Sequence, residues 1–378
     1  MIINEQTLMQ ERDRRIVILN DIMEKKGLDG VLMTSCAMPT FQLCLKYFTN
    51  YFLSSRRAFV TCKKGEMPYL ILPTPGQQYH AQNQSWLPED HILSGVDMMP
   101  LIKNCLSGCK TVGWYWPDEI PSGVYKSLMT FGFEFIDFSQ DLTLARANKS
   151  EYEIQLTKDA SKLAADSFAH ILKLMKPGET TEAELIGAAE GYLRAHGMQD
   201  SLLLTRSSKP HSFITRAQNK PIQKNGLFVY SAEVAGKGGY WTQMVRPVFF
   251  SRDAQPEAQE ILKVGHIAEA EGIKYLKPGY RICDVGEAIE SKVREYGFKT
   301  GVWSGHGMGP DLGDAVDIGS SVKMEIVPNM IITLHPSIVS DTDGLLYGNT
   351  FLTTEDQPIN LTDYYNDSPF LEDLLQEL

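Results

Sequence analysis

The chain has 378 residues, 43% of them hydrophobic and 10% aromatic, which is enough apolar material for two domains with separate cores. Its 47 acidic against 36 basic residues give a formal charge of -11, which repels phosphate backbones and anionic lipid and argues against nucleic acid as a partner. No run approaches the roughly 18 uninterrupted apolar residues of a membrane span, and the first 15 residues are charged rather than apolar, so a cytoplasmic protein without a membrane partner is expected.

Residues 7–26 place Leu8, Ile16, Leu19, Ile22 and Met23 at helical spacing, end at Gly27, and lead into the short apolar strand 30–33. Strand-like runs follow at 57–61, 69–72, 111–113 and 133–136, separated by Pro and Gly, which predicts a mixed-sheet α/β domain over residues 1–145. The six cysteines are scattered and expected to be reduced; Cys105 and Cys109 lack a second Cys/His pair at zinc spacing and are expected to be structural. The polar stretch 146–151 then opens a long helical pattern, and the second domain is placed over 146–378.

That second domain repeats one grammar. Lys176-Pro177-Gly178 precedes a capping pattern at Thr181–Glu184 and a helix with Leu185, Ala188, Ala189, Tyr192 and Leu193 on one face. Lys277-Pro278-Gly279 precedes Asp284–Glu287 and a helix with Val285, Ala288, Ile289 and Val293, ending near Gly297. The echo predicts two related α+β halves with a site between them. A β-hairpin is expected from 227–234 and 240–250 around a Gly236–Gly239 turn, with later strands at 330–334 and 350–354.

The order of these pieces resembles the pita-bread superfamily, which includes methionine aminopeptidase, prolidase, aminopeptidase P and creatinase. The resemblance covers nearly the whole chain and rests on Gly239 to Arg246, on Gly305-His306-Gly307-Met308-Gly309, and on Pro328 to Pro336. It implies a creatinase-like N-terminal α/β domain followed by an α+β pita-bread catalytic domain with an internal pseudo-twofold repeat. Metallopeptidases of the superfamily hold two divalent ions with two aspartates, a histidine and two glutamates. By resemblance these fall at or next to Ala232, then at Gln243, His306, His335 and Gly348, so only the histidine is kept. Glu233 is a candidate displaced acid, but strand alternation is expected to turn it away from Gln243. Two neighbouring cations need several anionic oxygens, so no cofactor is expected; the alternative is a single transition-metal ion held by His211, His306 and His335.

Creatinase keeps the fold without metals and uses a histidine as general acid and base on a guanidinium carbon–nitrogen bond. The segment Lys209 to Arg216 resembles its histidine-bearing loop, which implies His211 as acid/base, with His306 and His335 holding or polarising the substrate. Val245 and His335 stand where creatinase has carboxylates, so creatine is not expected; a neutral or anionic group oriented by Gln243 and Tyr240 suits the site better. Ser54-Ser55-Arg56-Arg57 lies near where creatinase-like dimers present an arginine to the partner's pocket, implying a homodimer in which Arg56 or Arg57 binds a substrate carboxylate. The acidic loop Asp311, Asp314, Asp317 is expected to be solvated or to cap a helix. The resulting expectation is a metal-independent, creatinase-like hydrolase of a carbon–nitrogen bond in a small-molecule substrate. The alternatives are a remodelled metalloenzyme, either an X-Pro peptidase or a lyase, and a non-catalytic binding module.

Overall fold

The computed structural model describes residues 4–38, 42–301, 304–314, 316–365 and 367–378. The chain divides into two compact units, Met1–Arg146 and Ala147–Leu378.

In the first unit the helix Glu5–Lys26 starts where the Asn4 side chain accepts from the Thr7 amide at 2.9 Å and stops at Gly27, whose φ of +66° suits glycine. Strands β1 (Gly30–Cys36), β2 (Arg57–Lys63), β3 (Tyr69–Leu72), β4 (Ile92–Ser94), β5 (Thr111–Tyr115) and β6 (Glu134–Asp137) form one sheet in the order β4-β3-β2-β1-β5-β6. β1–β2 and β2–β3 are antiparallel and the other pairs parallel, so the sheet is mixed. Alternation along the strands sends Val31, Met33 and Val60 to one core with Leu19 and Met23 of the first helix, and Leu32, Phe59 and Ile71 to a second core with Ile102 and Leu106. The short β4 escaped sequence reading because three residues carry no usable period. Cys62, Cys105, Cys109 and Cys283 are free thiols, and burial pushes those of Cys105 and Cys109 up.

The second unit contains two helix pairs, Glu151–Leu172 with Glu182–Ala195 and Pro256–Ile273 with Ile282–Glu295. Each pair turns through the Pro-Gly sequence seen in the repeat, with Gly178 and Gly279 both at positive φ. The Thr181–Glu184 capping box forms as read. In the second pair the helix begins earlier than expected: Asp284 is a first-turn residue whose carboxylate accepts from the Arg281 amide at 2.8 Å.

Three antiparallel sheets complete this unit: β7 (Asp200–Arg206) with β8 (Leu227–Ala235) and β9 (Trp241–Phe249); β10 (Lys299–Thr300) with β13 (Ser337–Val339) and β14 (Gly344–Leu346); and β11 (Gly305–Gly307), β12 (Ile331–Leu334), β15 (Asn349–Leu352) and β16 (Ile359–Asn360). β8 and β9 are buried on both faces. Phe228, Tyr230, Ala232, Val234 and Met244 pack under the first helix pair, while Leu227, Val229 and Val245 pack toward the second pair and the later strands. Among the described residues no helix is long and apolar enough to cross a membrane.

Candidate active site

The odd-numbered face of β8 turns polar where its apolar residues run out: after Leu227 and Val229 come Ser231 and Glu233. Across the hairpin Glu233 pairs with Gln243, and directly opposed residues of an antiparallel pair project to the same side. Gln243 Nε2 donates to Glu233 Oε1 at 2.9 Å. This corrects the expectation that Glu233 turns away. Ala232, opposite Met244, is the residue that faces the helices. Burial pushes the Glu233 carboxyl up to about 8, so it carries its proton at neutral pH.

The facing wall carries the two histidines. His306 lies in β11, and His335 follows β12, its amide bonded to the Ser304 carbonyl at 2.8 Å; the two rings meet edge to face with centroids 5.1 Å apart. A Cβ at Gly307 would strike the Asp314 carbonyl, so glycine there lets the 311–314 loop close over the strand. Gly348 has the same function for His335: an added Cβ would lie 2.6 Å from the His335 Cβ. The imidazole at 335 and the bare glycine at 348 are therefore one packing solution. Burial, helped by the neighbouring His306, pushes His335 down to about 3, and burial also lowers His306 against the pull of the Gly307 carbonyl. Both rings are neutral at pH 7.

His211 immediately precedes Ser212 in the chain. It is 1% exposed; its Nδ1 lies 2.9 and 3.0 Å from the two carboxylate oxygens of Asp343, and its amide donates to Asp343 Oδ1 at 3.0 Å. A carboxylate only accepts, so Nδ1 holds the hydrogen and Nε2 is the basic nitrogen. Burial raises the Asp343 carboxyl, but the bonds from His211 and from the Gly344 amide outweigh it and hold the group below its ordinary value. Asp343 was missed in the sequence because an Asp-Gly turn 132 residues away carries no sign of its partner.

A cavity of about 390 Å³ lies between these walls, lined by Glu233, Gln243, His306, His335 and Ser212 among others. Three buried polar atoms of its lining lack a partner: Gln243 Oε1, His335 Nδ1 and Ser212 Oγ. Orphaned groups are costly in a folded interior, and their convergence on one space marks a polar cavity where water or a ligand completes the bonds. Of the residues expected at the site, Gln243, His306 and His335 meet here. Tyr240 does not; its hydroxyl donates to Glu153 at 2.8 Å. In the first unit Arg57 Nη1 donates to Thr34 at 3.0 Å, and Arg56 is exposed with a φ of +69°. The acidic loop departs from expectation: Asp311 and Asp314 are buried, and Asp314 pairs with Lys149 at 2.7 Å, while Asp317 is exposed at the cavity rim.

Comparison with known proteins supplies the kinship. The model of metallopeptidase family M24 matches residues 155–355, more than half of the chain. The chain belongs to family M24. It is 28% identical over 354 residues to the uncharacterized peptidase YqhT of Bacillus subtilis, covering 89% of this chain and 94% of that one. Over 207 residues it is 30% identical to methionine aminopeptidase A of Synechocystis, covering 51% and 81%. The prolidase from Pyrococcus horikoshii superposes with a TM-score of 0.81 at 19% identity over 94% of this chain and 99% of that one. The Xaa-Pro dipeptidase from Bacillus anthracis gives 0.81 at 20% identity over 95% and 99%. The two-domain pita-bread architecture is thus the fold of this M24 chain.

Membership corrects the expectation that no cofactor is used, because M24 is a family of metallopeptidases. The residues present do not fit the pair of ions implied by the superfamily resemblance. Ala232 points into the helix-side core, Gln243 is a neutral amide, and a side chain at 348 would collide with His335. Nor do the three imidazoles form a single-ion site: no group of three or more His, Cys, Asp or Glu able to hold an ion occurs among the described residues.

Proposed function

We propose that this M24 member is a hydrolase that cleaves a carbon–nitrogen bond of a small polar substrate in the cavity, with His211 as the acid/base group. The observation that supports this reading is the buried His211–Asp343 pair, next in sequence to Ser212 of the cavity lining. Asp343 fixes the tautomer and stabilises the imidazolium that forms when Nε2 accepts a proton from water. The water oxygen bonds to the substrate carbon, the carbon–nitrogen bond breaks, and Nε2 returns the proton to the leaving nitrogen. His306 and His335, both neutral, supply hydrogen bonds rather than charge.

A panel of amides assayed with the wild type and His211→Asn tests this. The variant is expected to lose about 10²–10⁴-fold in kcat while keeping ligand-induced thermal stabilisation. Undiminished turnover by the variant overturns the role of His211, and wild-type binding without turnover of any amide leaves a binding module. Kinship with peptidases favours a second reading in which the bond is a peptide bond, and an Xaa-Pro dipeptide in the same panel separates the two.

A further inference from the structure

Resting on the hydrolase reading, we propose that the substrate class is a cyclic amide (a lactam, imide or ring ureide) whose N–H and C=O, held on one edge by the ring, dock on the Glu233–Gln243 pair. Gln243 spends one N–H on Glu233 at 2.9 Å, and its Oε1 is buried without a partner, so a ligand N–H is needed there. Glu233 is 6% exposed and pairs with no lysine or arginine among the described residues; an unpaired buried carboxyl keeps its proton and offers an O–H to a ligand carbonyl. Exchanging the roles, with Glu233 donating to Gln243 Oε1 and Gln243 Nε2 turned to the ligand, presents the same one donor and one acceptor.

That edge discriminates between amides. An open-chain peptide bond is trans, so its N–H and C=O point in opposite directions and cannot both reach the pair. An Xaa-Pro bond has no N–H at all. An amidinium or guanidinium brings two donors and a charge, for which the pair has only one acceptor. A small ring enforces the cis arrangement. Leu202, Ile214 and Leu346 give its carbons an apolar wall, and the cavity volume of about 390 Å³ suits a single small ring system. His335 Nδ1 and Ser212 Oγ remain for a further polar substituent.

Calorimetric titration of the full chain with 2-piperidone, N-methyl-2-piperidone and acetamidinium tests the recognition. The lactam is expected to bind about tenfold or more tighter than either competitor, as fits loss of a buried hydrogen bond. Gln243→Leu should erase the preference, and Gln243→Glu, with a second carboxyl, should turn it toward acetamidinium; a melting curve verifies that each variant is folded. Equal binding of the N-methyl ring, tighter binding of the amidinium, or no binding of any ring overturns the proposal. Turnover of 2-piperidone, glutarimide and dihydrouracil beside open-chain amides separates it from the reading on which it rests. Lactam-selective binding without hydrolysis of any amide removes the hydrolase and keeps the recognition, whereas open-chain secondary amides cleaved as fast as rings keep the hydrolase and remove the substrate class.

Discussion

Gln243 and Arg246 lie three residues apart on β9, both buried, yet their polar atoms are satisfied very differently. Arg246 donates to the carbonyls of Tyr364, Val245, Gly348 and Thr362 and to Asn349 Oδ1, at 2.6 to 3.1 Å, which uses every N–H of the guanidinium. Asn349 in turn donates to Glu269 and Tyr347. Around Gln243 three polar atoms are left open. A buried group with all its partners in the chain holds the scaffold together; one left short of partners on a cavity wall is open to a ligand or water.

Removing the satisfied side of this contrast should have the largest effect. Arg246→Ala removes five hydrogen bonds and a cation from a buried network, and a loss of about 3–5 kcal/mol in denaturant unfolding is expected. A loss below about 1 kcal/mol breaks the contrast. In the proposed acid/base pair, Asp343→Asn should lower kcat by about 10²-fold or more and alter its pH profile, because an amide neither fixes the His211 tautomer nor stabilises the imidazolium. Parallel losses of kcat and thermal stability would reduce Asp343 to a structural tie.

Glu233 sharpens the contrast through pH. Its folded value of about 8 lies above the unfolded 4.5, so the stability it permits is complete below 4.5 and is lost as pH rises toward 8. From pH 5 to 8 the unfolding free energy of wild type relative to Glu233→Gln should fall by ~2–4 kcal/mol, the difference isolating this carboxyl from Glu269 and the buried histidines; a constant difference means the carboxyl is solvated. His335 acts in the opposite sense: its folded value of about 3 lies below the unfolded 6.5, and the stability present above 6.5 is lost on acidification toward 3. The smallest stability change belongs to Gln243→Leu, within about 1 kcal/mol of wild type, because the orphaned oxygen leaves together with the amide. A large loss there would place Gln243 with Arg246 among the scaffold residues.

Much of this molecule was legible in the chain. Apolar periodicity located the hairpin and the first helix, and Pro-Gly breaks with a capping box located the repeated helix pairs, because these are local preferences read within a few residues. The glycine-flanked His306 and the strand-end His335 were also found, and with Gln243 they do line one cavity. What escaped depends on register and on distance. β8 is buried on both faces, so its sequence has no polar–apolar alternation to reveal which residue opposes Gln243, and a one-residue difference decides whether Ala232 or Glu233 enters the cavity. His211 meets Asp343 across 132 residues and Lys149 meets Asp314 across 165. Local sequence determined the elements of this protein; pairing of remote strands decided which of their side chains became a site, since only tertiary packing brings such groups within bonding distance and withholds water from them.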